Sequence, residues 1–176
     1  MTAPPEREAP VGRPTAPSET EVAEVRARIA ALEREARSLE PDPRSARLYH
    51  ELGLLWERPL GNLRAAAAAF QSAYRLAPRF VENLRSARRI FSDVGNWPMV
   101  LQLLDAELAA TEGARPRAAL LFEKAEVLAD RLDRWDDATE VLTAALELEP
   151  ADLGLLVQAE GMLAAHGDVA GLLRVQ

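Results

Sequence analysis

The chain contains no cysteine, which removes disulfides, thiolate nucleophiles and cysteine metal sites at once. Histidine is nearly as scarce. His50 and His166 stand far apart in the sequence, and a metal centre needs several converging ligands. No run of apolar residues approaches the roughly 18 that span a bilayer. The opening MTAPPEREAPVGRPTAPSE carries acids and prolines where a secretory signal would have an apolar core. The phosphate-loop, dinucleotide and nucleophile-elbow patterns are all missing. These absences predict a cytoplasmic protein without catalytic activity, cofactor, metal or membrane insertion. Lys124 is the single lysine among 21 basic residues, which reads as the coding bias of a GC-rich bacterial genome.

The composition is that of a soluble helical chain. Of 176 residues, 48% are apolar and 28% charged, enough for one domain with a sizeable core. The net charge of −7 disfavours general nucleic-acid binding. It is unevenly placed: residues 1–92 carry +3 and residues 93–176 carry −10. An elongated molecule with this split has a basic end and an acidic end.

Residues 1–17 hold five prolines and no periodic apolar pattern, and are predicted to be a disordered tail. Ser18 and Glu21 have capping-box spacing. Val22, Val25, Ile29, Leu32, Ala36 and Leu39 then recur every three or four residues, which predicts a helix over 18–40 ending at Pro41. The same stripe could pair as a short coiled coil. It is under three heptads, so packing on the helices that follow is the preferred reading.

From residue 44 to 176 a small turn pair followed by a bulky residue recurs: Gly61-Asn62-Leu63, Gly95-Asn96-Trp97, Asp133-Arg134-Trp135 and Gly167-Asp168-Val169. Amphipathic stretches of about four helical turns flank each one. The unit is helix, tight turn, helix, with repeats near 46–80, 81–118, 119–152 and an incomplete 153–176. Small residues such as Gly53, Ala66 and Ala73 let helices approach, and large ones such as Tyr49, Trp56 and Phe70 fill the space between repeats.

These residues resemble the tetratricopeptide repeat, a 34-residue helical hairpin. The first repeat carries Tyr49, Leu52, Gly53, Trp56, Ala66, Phe70, Ala73 and Pro78, with one extra residue within 57–60. The third carries Phe122, Ala125, Trp135, Ala138, Leu142, Ala145 and Pro150, with Glu126 where a small residue is usual. The second is divergent: Arg88 stands at the small position, and about four residues are added around 111–117. The resemblance covers about three-quarters of the chain. It implies an all-α, right-handed superhelical solenoid of antiparallel helix pairs, preceded by one N-terminal helix. The apolar end Gly171-Leu172-Leu173-Arg174-Val175-Gln176 implies that the array continues or meets a partner there.

By the same resemblance the first helices line a concave groove that takes a peptide or helix of a protein partner. The candidate groove residues are Arg47, His50, Leu54 and Arg58 in the first repeat, and Arg85 and Arg89 in the second. The third adds Glu123, Val127 and Arg131, and the fourth presents mostly small or apolar positions such as Val157 and Gly161. The acidic-peptide clamp of some relatives is not expected, because His50, Leu54, Ser86, Leu120 and Lys124 supply only one fixed cation. Arg85, Arg88 and Arg89 form a basic cluster, balanced by nearby acids or free for a partner carboxylate. A scaffold or adaptor is the leading expectation. Homo-oligomerisation, by charge or through the first helix, and a regulatory arm of a longer protein are the alternatives.

Overall fold

The computed structural model describes residues 18–39 and 42–175, with side chains through Leu172. The expected tail at 1–17 and the stop at Pro41 lie outside the described residues. Among those described, every regular element is a helix: α1 (Glu19–Ser38), α2 (Pro43–Glu57), α3 (Leu63–Leu76), α4 (Val81–Asp93), α5 (Trp97–Ala110), α6 (Ala114–Glu126), α7 (Trp135–Leu148), α8 (Leu153–Ala165) and α9 (Val169–Val175). Helix α6 runs on into a single π turn at Val127–Arg131. No described helix is long and apolar enough to cross a membrane.

Polar side chains set the helix starts. Ser18 and Glu21 form the capping box of α1. Asp42 accepts from the amides of Arg44 and Ser45 just before Pro43, which has no amide to satisfy. Asn62, Asn96 and Asp152 cap α3, α5 and α8 through their side-chain oxygens. Each cap satisfies amides that the helix itself leaves open.

Within each hairpin the first helix ends on a residue at positive φ: Gly61, Gly95, Asp133 or Gly167. Two versions alternate. The amide of Asn96 donates to Phe91 O at 2.8 Å and that of Asp168 to Leu163 O at 2.9 Å, which is the glycine-ended Schellman turn. The amides of Asn62 and Arg134 reach one residue further back, to Trp56 O and Leu128 O. The first and third repeats therefore wind one more residue before the turn. In α6 that residue is absorbed as the π turn.

Asp133 is the one non-glycine at positive φ among the described residues, and a Cβ there costs conformational energy that glycine avoids. Asp133→Gly is therefore expected to stabilise the chain by about 1 kcal/mol. The check is a rise in Tm on thermal unfolding; an unchanged or lower Tm would contradict it.

Counting eight residues back from each turn residue gives Gly53, Ala87, Ala125 and Ala159. All four are buried, and they let each first helix approach its neighbours. Glu126, the residue after Ala125, is exposed. The added residues near 111–117 do not lengthen a loop. α5 ends at Ala110 and α6 opens at Ala114, so they supply an additional turn at the start of α6. α2, and α6 together with its π turn, thus outlast α4 and α8. Equivalent residues fall a double repeat apart, as in Ala66 and Ala138, Phe70 and Leu142, and Ala73 and Ala145.

The core runs the length of the array as linked clusters. Ile29 and Leu32 of α1 pack with Leu52 of α2 and Ala69 of α3, so the α1 stripe is covered from within the chain. Phe70, Leu84, Ile90 and Leu103 form the next cluster. Val100, Leu104, Leu120 and Val127 join α5 to α6, and Phe122, Leu142, Leu155 and Leu163 carry the core to the far end. Successive hairpins bury each other's apolar sides, which is the physics of a helical solenoid.

Candidate partner-binding face

The first helices α2, α4, α6 and α8 stand side by side, joined by polar contacts. Between α2 and α4, His50 Nδ1 lies 3.3 Å from Asn83 Oδ1. The Asn83 amide is fully buried and donates to Phe70 O at 3.0 Å. That bond orients the amide, so His50 is the donor to Asn83. Burial pushes the His50 imidazole below its usual pKa, and the ring packs against Phe70 and Phe80. Glu57 accepts two bonds from Arg89, at 2.8 and 2.6 Å. From α4 to α6, Arg88 pairs with Glu123. From the π turn to the end of α8, Asp130 Oδ1 lies 3.6 Å from His166 Nε2.

The basic cluster is neutralised inside the chain. Glu107 of α5 is 0% exposed. It accepts from Arg85 Nε at 2.7 Å and from Arg88 Nε at 3.2 Å. Arg85 thus ties α4 to α5 within the second repeat, while Arg89 through Glu57 and Arg88 through Glu123 hold that repeat to its two neighbours. Sequence reasoning assigned Glu107 no role, although a signal was present. Val100, Leu103, Leu104, Glu107 and Leu108 follow one helical stripe, and an acid on a buried stripe needs partners.

The other candidates divide. Arg47 and Arg58 are exposed on α2 and at its end. Leu54 is partly buried against the second cluster. Val127 was expected to line the groove, but it is 8% exposed and packs with Val100 and Leu104 of α5. Leu120 is buried in the same cluster. The turn added to α6 and the π turn at its end change which side chains face α5. Arg131 follows the same shift, with its guanidinium 5.0 Å from the centre of the Trp97 ring, a cation–π arrangement.

Between α6 and α8 a cleft of about 220 Å³ opens on this face, lined by Phe122, Glu126, Asp130, Gln158, Met162, Ala165 and His166. The His166 ring stacks on Trp135 with centroids 4.2 Å apart. Its Nδ1–H donates to Met162 O at 3.1 Å, since a carbonyl can only accept. Desolvation by the surrounding chain, with Asp130 and Glu123 close by, raises the Glu126 carboxyl above its usual pKa. Of the neighbouring acids Asp130, Asp133, Asp136, Asp137 and Glu140, only Asp130 lines the cleft. Asp136 and Asp137 sit in the first turn of α7, where the helix dipole favours them. Beside the cleft, α8 exposes Leu153 at 76% and Val157 at 66%.

The fold defined by this geometry is a tetratricopeptide-like helical solenoid. Solved structures share it. The chain superposes on a crystal structure of MamA with TM-score 0.60 and 13% identity, covering 89% of this chain and 87% of that one. A MamA fragment from residue 41 to its end, from Desulfovibrio magneticus RS-1, gives TM-score 0.57 at 17% identity over 89% and 84%. A double mutant titled MamA RS-1 ArsTM gives 0.59 at 17% over 86% and 80%. No protein-family model and no curated protein matches the sequence. At these identities the likeness concerns the fold.

Proposed function

We propose that this chain is a non-catalytic scaffold of the bacterial cytoplasm, binding a protein segment along the concave face formed by its first helices. One observation carries the reading. Helix α8 holds Leu153 and Val157 mostly exposed and one helical turn apart, so that the two form one apolar patch. Val157 lies ten residues before its turn residue, as Arg85 and Glu123 lie before theirs. The apolar patch therefore continues the line of the candidate groove. Exposed apolar surface beside polar residues is characteristic of interaction sites. Among the described residues no group of three or more His, Asp or Glu side chains stands together as a metal site.

A photo-crosslinking side chain at Val157 is expected to capture a partner in the source cells. The same group at Thr143, beside the cleft between α7 and α9, is expected to capture none. Equal capture from both positions would count against the groove. A product of twice the chain mass would favour the second reading, self-assembly of the basic and acidic halves.

A further inference from the structure

We infer that the cleft between α6 and α8 seats a lysine or arginine side chain of a partner segment, with its stem on Phe122 and Met162 and its cation at Glu126 and Asp130. This inference rests on the groove reading above and specifies the chemistry of the occupant.

The cleft has an apolar floor and an acidic rim. Phe122 and Met162 belong to the core cluster at this end of the array, so the floor is fixed by packing. Three other acids of the first helices meet fixed cations: Glu51 meets Arg28, Glu57 meets Arg89, and Glu123 meets Arg88. Glu126 differs. The charged groups acting on it are Asp130 and Glu123, both acids. Among the described residues Asp130 pairs with the imidazole of His166 alone, at 3.6 Å. The basic residues of α6 are engaged elsewhere: Lys124 is held by Asp105 at 2.6 Å, Arg115 lies 3.5 Å from Asp152, and Arg117 donates to Leu108 O. Arg131 lies over Trp97.

Two carboxylates thus line one cleft, and among the described residues neither is paired with a lysine or arginine. A long amphipathic cation complements this environment, because its methylene stem covers apolar surface while its head stays polar. The cleft volume suits one side chain. Exposed Val157, with Gly161 and Ala165 alongside, offers apolar ground for a neighbouring residue of the same segment. Charge complementarity of this kind gives specificity and speeds encounter.

The test is selection of displayed random dodecapeptides on the whole chain, followed by fluorescence anisotropy of the enriched peptides. The expected result is enrichment of sequences with a lysine or arginine next to an apolar residue. Their binding should weaken at least about tenfold in Glu126→Gln/Asp130→Asn and fall as salt rises. The double variant removes mutual repulsion, so its Tm should match or exceed that of the parent chain, which separates lost binding from lost folding.

Enriched peptides lacking a basic residue would overturn the inference. So would peptides that bind the double variant equally, or no enrichment at all. Crosslinking from Val157 to a partner would leave the groove reading standing in each of those cases, so the two can fail separately.

Discussion

Glu107→Ala is expected to destabilise the chain by about 3 kcal/mol, because it breaks a buried ion pair and leaves the largely buried Arg88 with Glu123 alone. The carboxylate is fully buried and bridges Arg85 and Arg88. The Arg88 side chain is only 16% exposed, so it cannot regain hydration when its acceptor is removed. Its remaining partner, Glu123, lies on α6, and the substitution also opens a void beside Leu104 and Leu108. Chemical denaturation should show the loss as a lower midpoint at unchanged slope. Glu107→Leu with Arg88→Met should recover most of it, since the buried charges then leave together. A loss below about 1 kcal/mol for Glu107→Ala would mean that Arg85 and Arg88 find other acceptors or water.

Gly53→Ala is expected to cost about 2–3 kcal/mol by overpacking. Helix propensity alone would make alanine better than glycine here by about 1 kcal/mol. The outcome turns on the Phe70 ring, since a Cβ built at Gly53 falls inside its van der Waals surface. Phe70 is 0% exposed and its ring packs against His50, so any retreat from Gly53 must disturb its neighbours in the core. The substitution must push α2 from α3, in the most closely packed hairpin of the array. A Tm at or above that of the parent would show that the ring can move. The equivalent Ala125 of the third repeat already has a methyl group and faces Leu142 in its cluster, so Ala125→Gly should lack this steric signature.

The repeat was legible because its punctuation is chemical. Gly61, Gly95 and Gly167 permit the positive φ that ends each first helix, and Asn62 and Asn96 cap the next. Small and large residues recur between those marks at helical spacing, so the hairpin could be read from one chain. The apolar stripe of α1 was likewise plain, and the structure covers Ile29 and Leu32 with α2 and α3.

The face was less legible than the fold. Position counting from the repeat pattern placed Val127 and Leu120 in the groove, yet both are buried against α5. Periodicity says which residues share a stripe, but one added helical turn and one π turn rotate that stripe. Neither leaves a distinctive residue type behind. The arginines of α4 were visible as neighbours on one helix. Their partners could not be read, because Glu57, Glu107 and Glu123 lie on three different helices.

The sequence by itself determined the helices, their caps, their turns and the pairing of neighbours, because those depend on contacts a few residues apart. Only the tertiary structure decided which charges are spent within the chain and which stay open. Arg85, Arg88 and Arg89 became internal ties, whereas Glu126 and Asp130 were left facing a cleft. The reason is distance along the chain: an ion pair or a cleft between repeats joins residues tens of positions apart, and stacking alone brings them together.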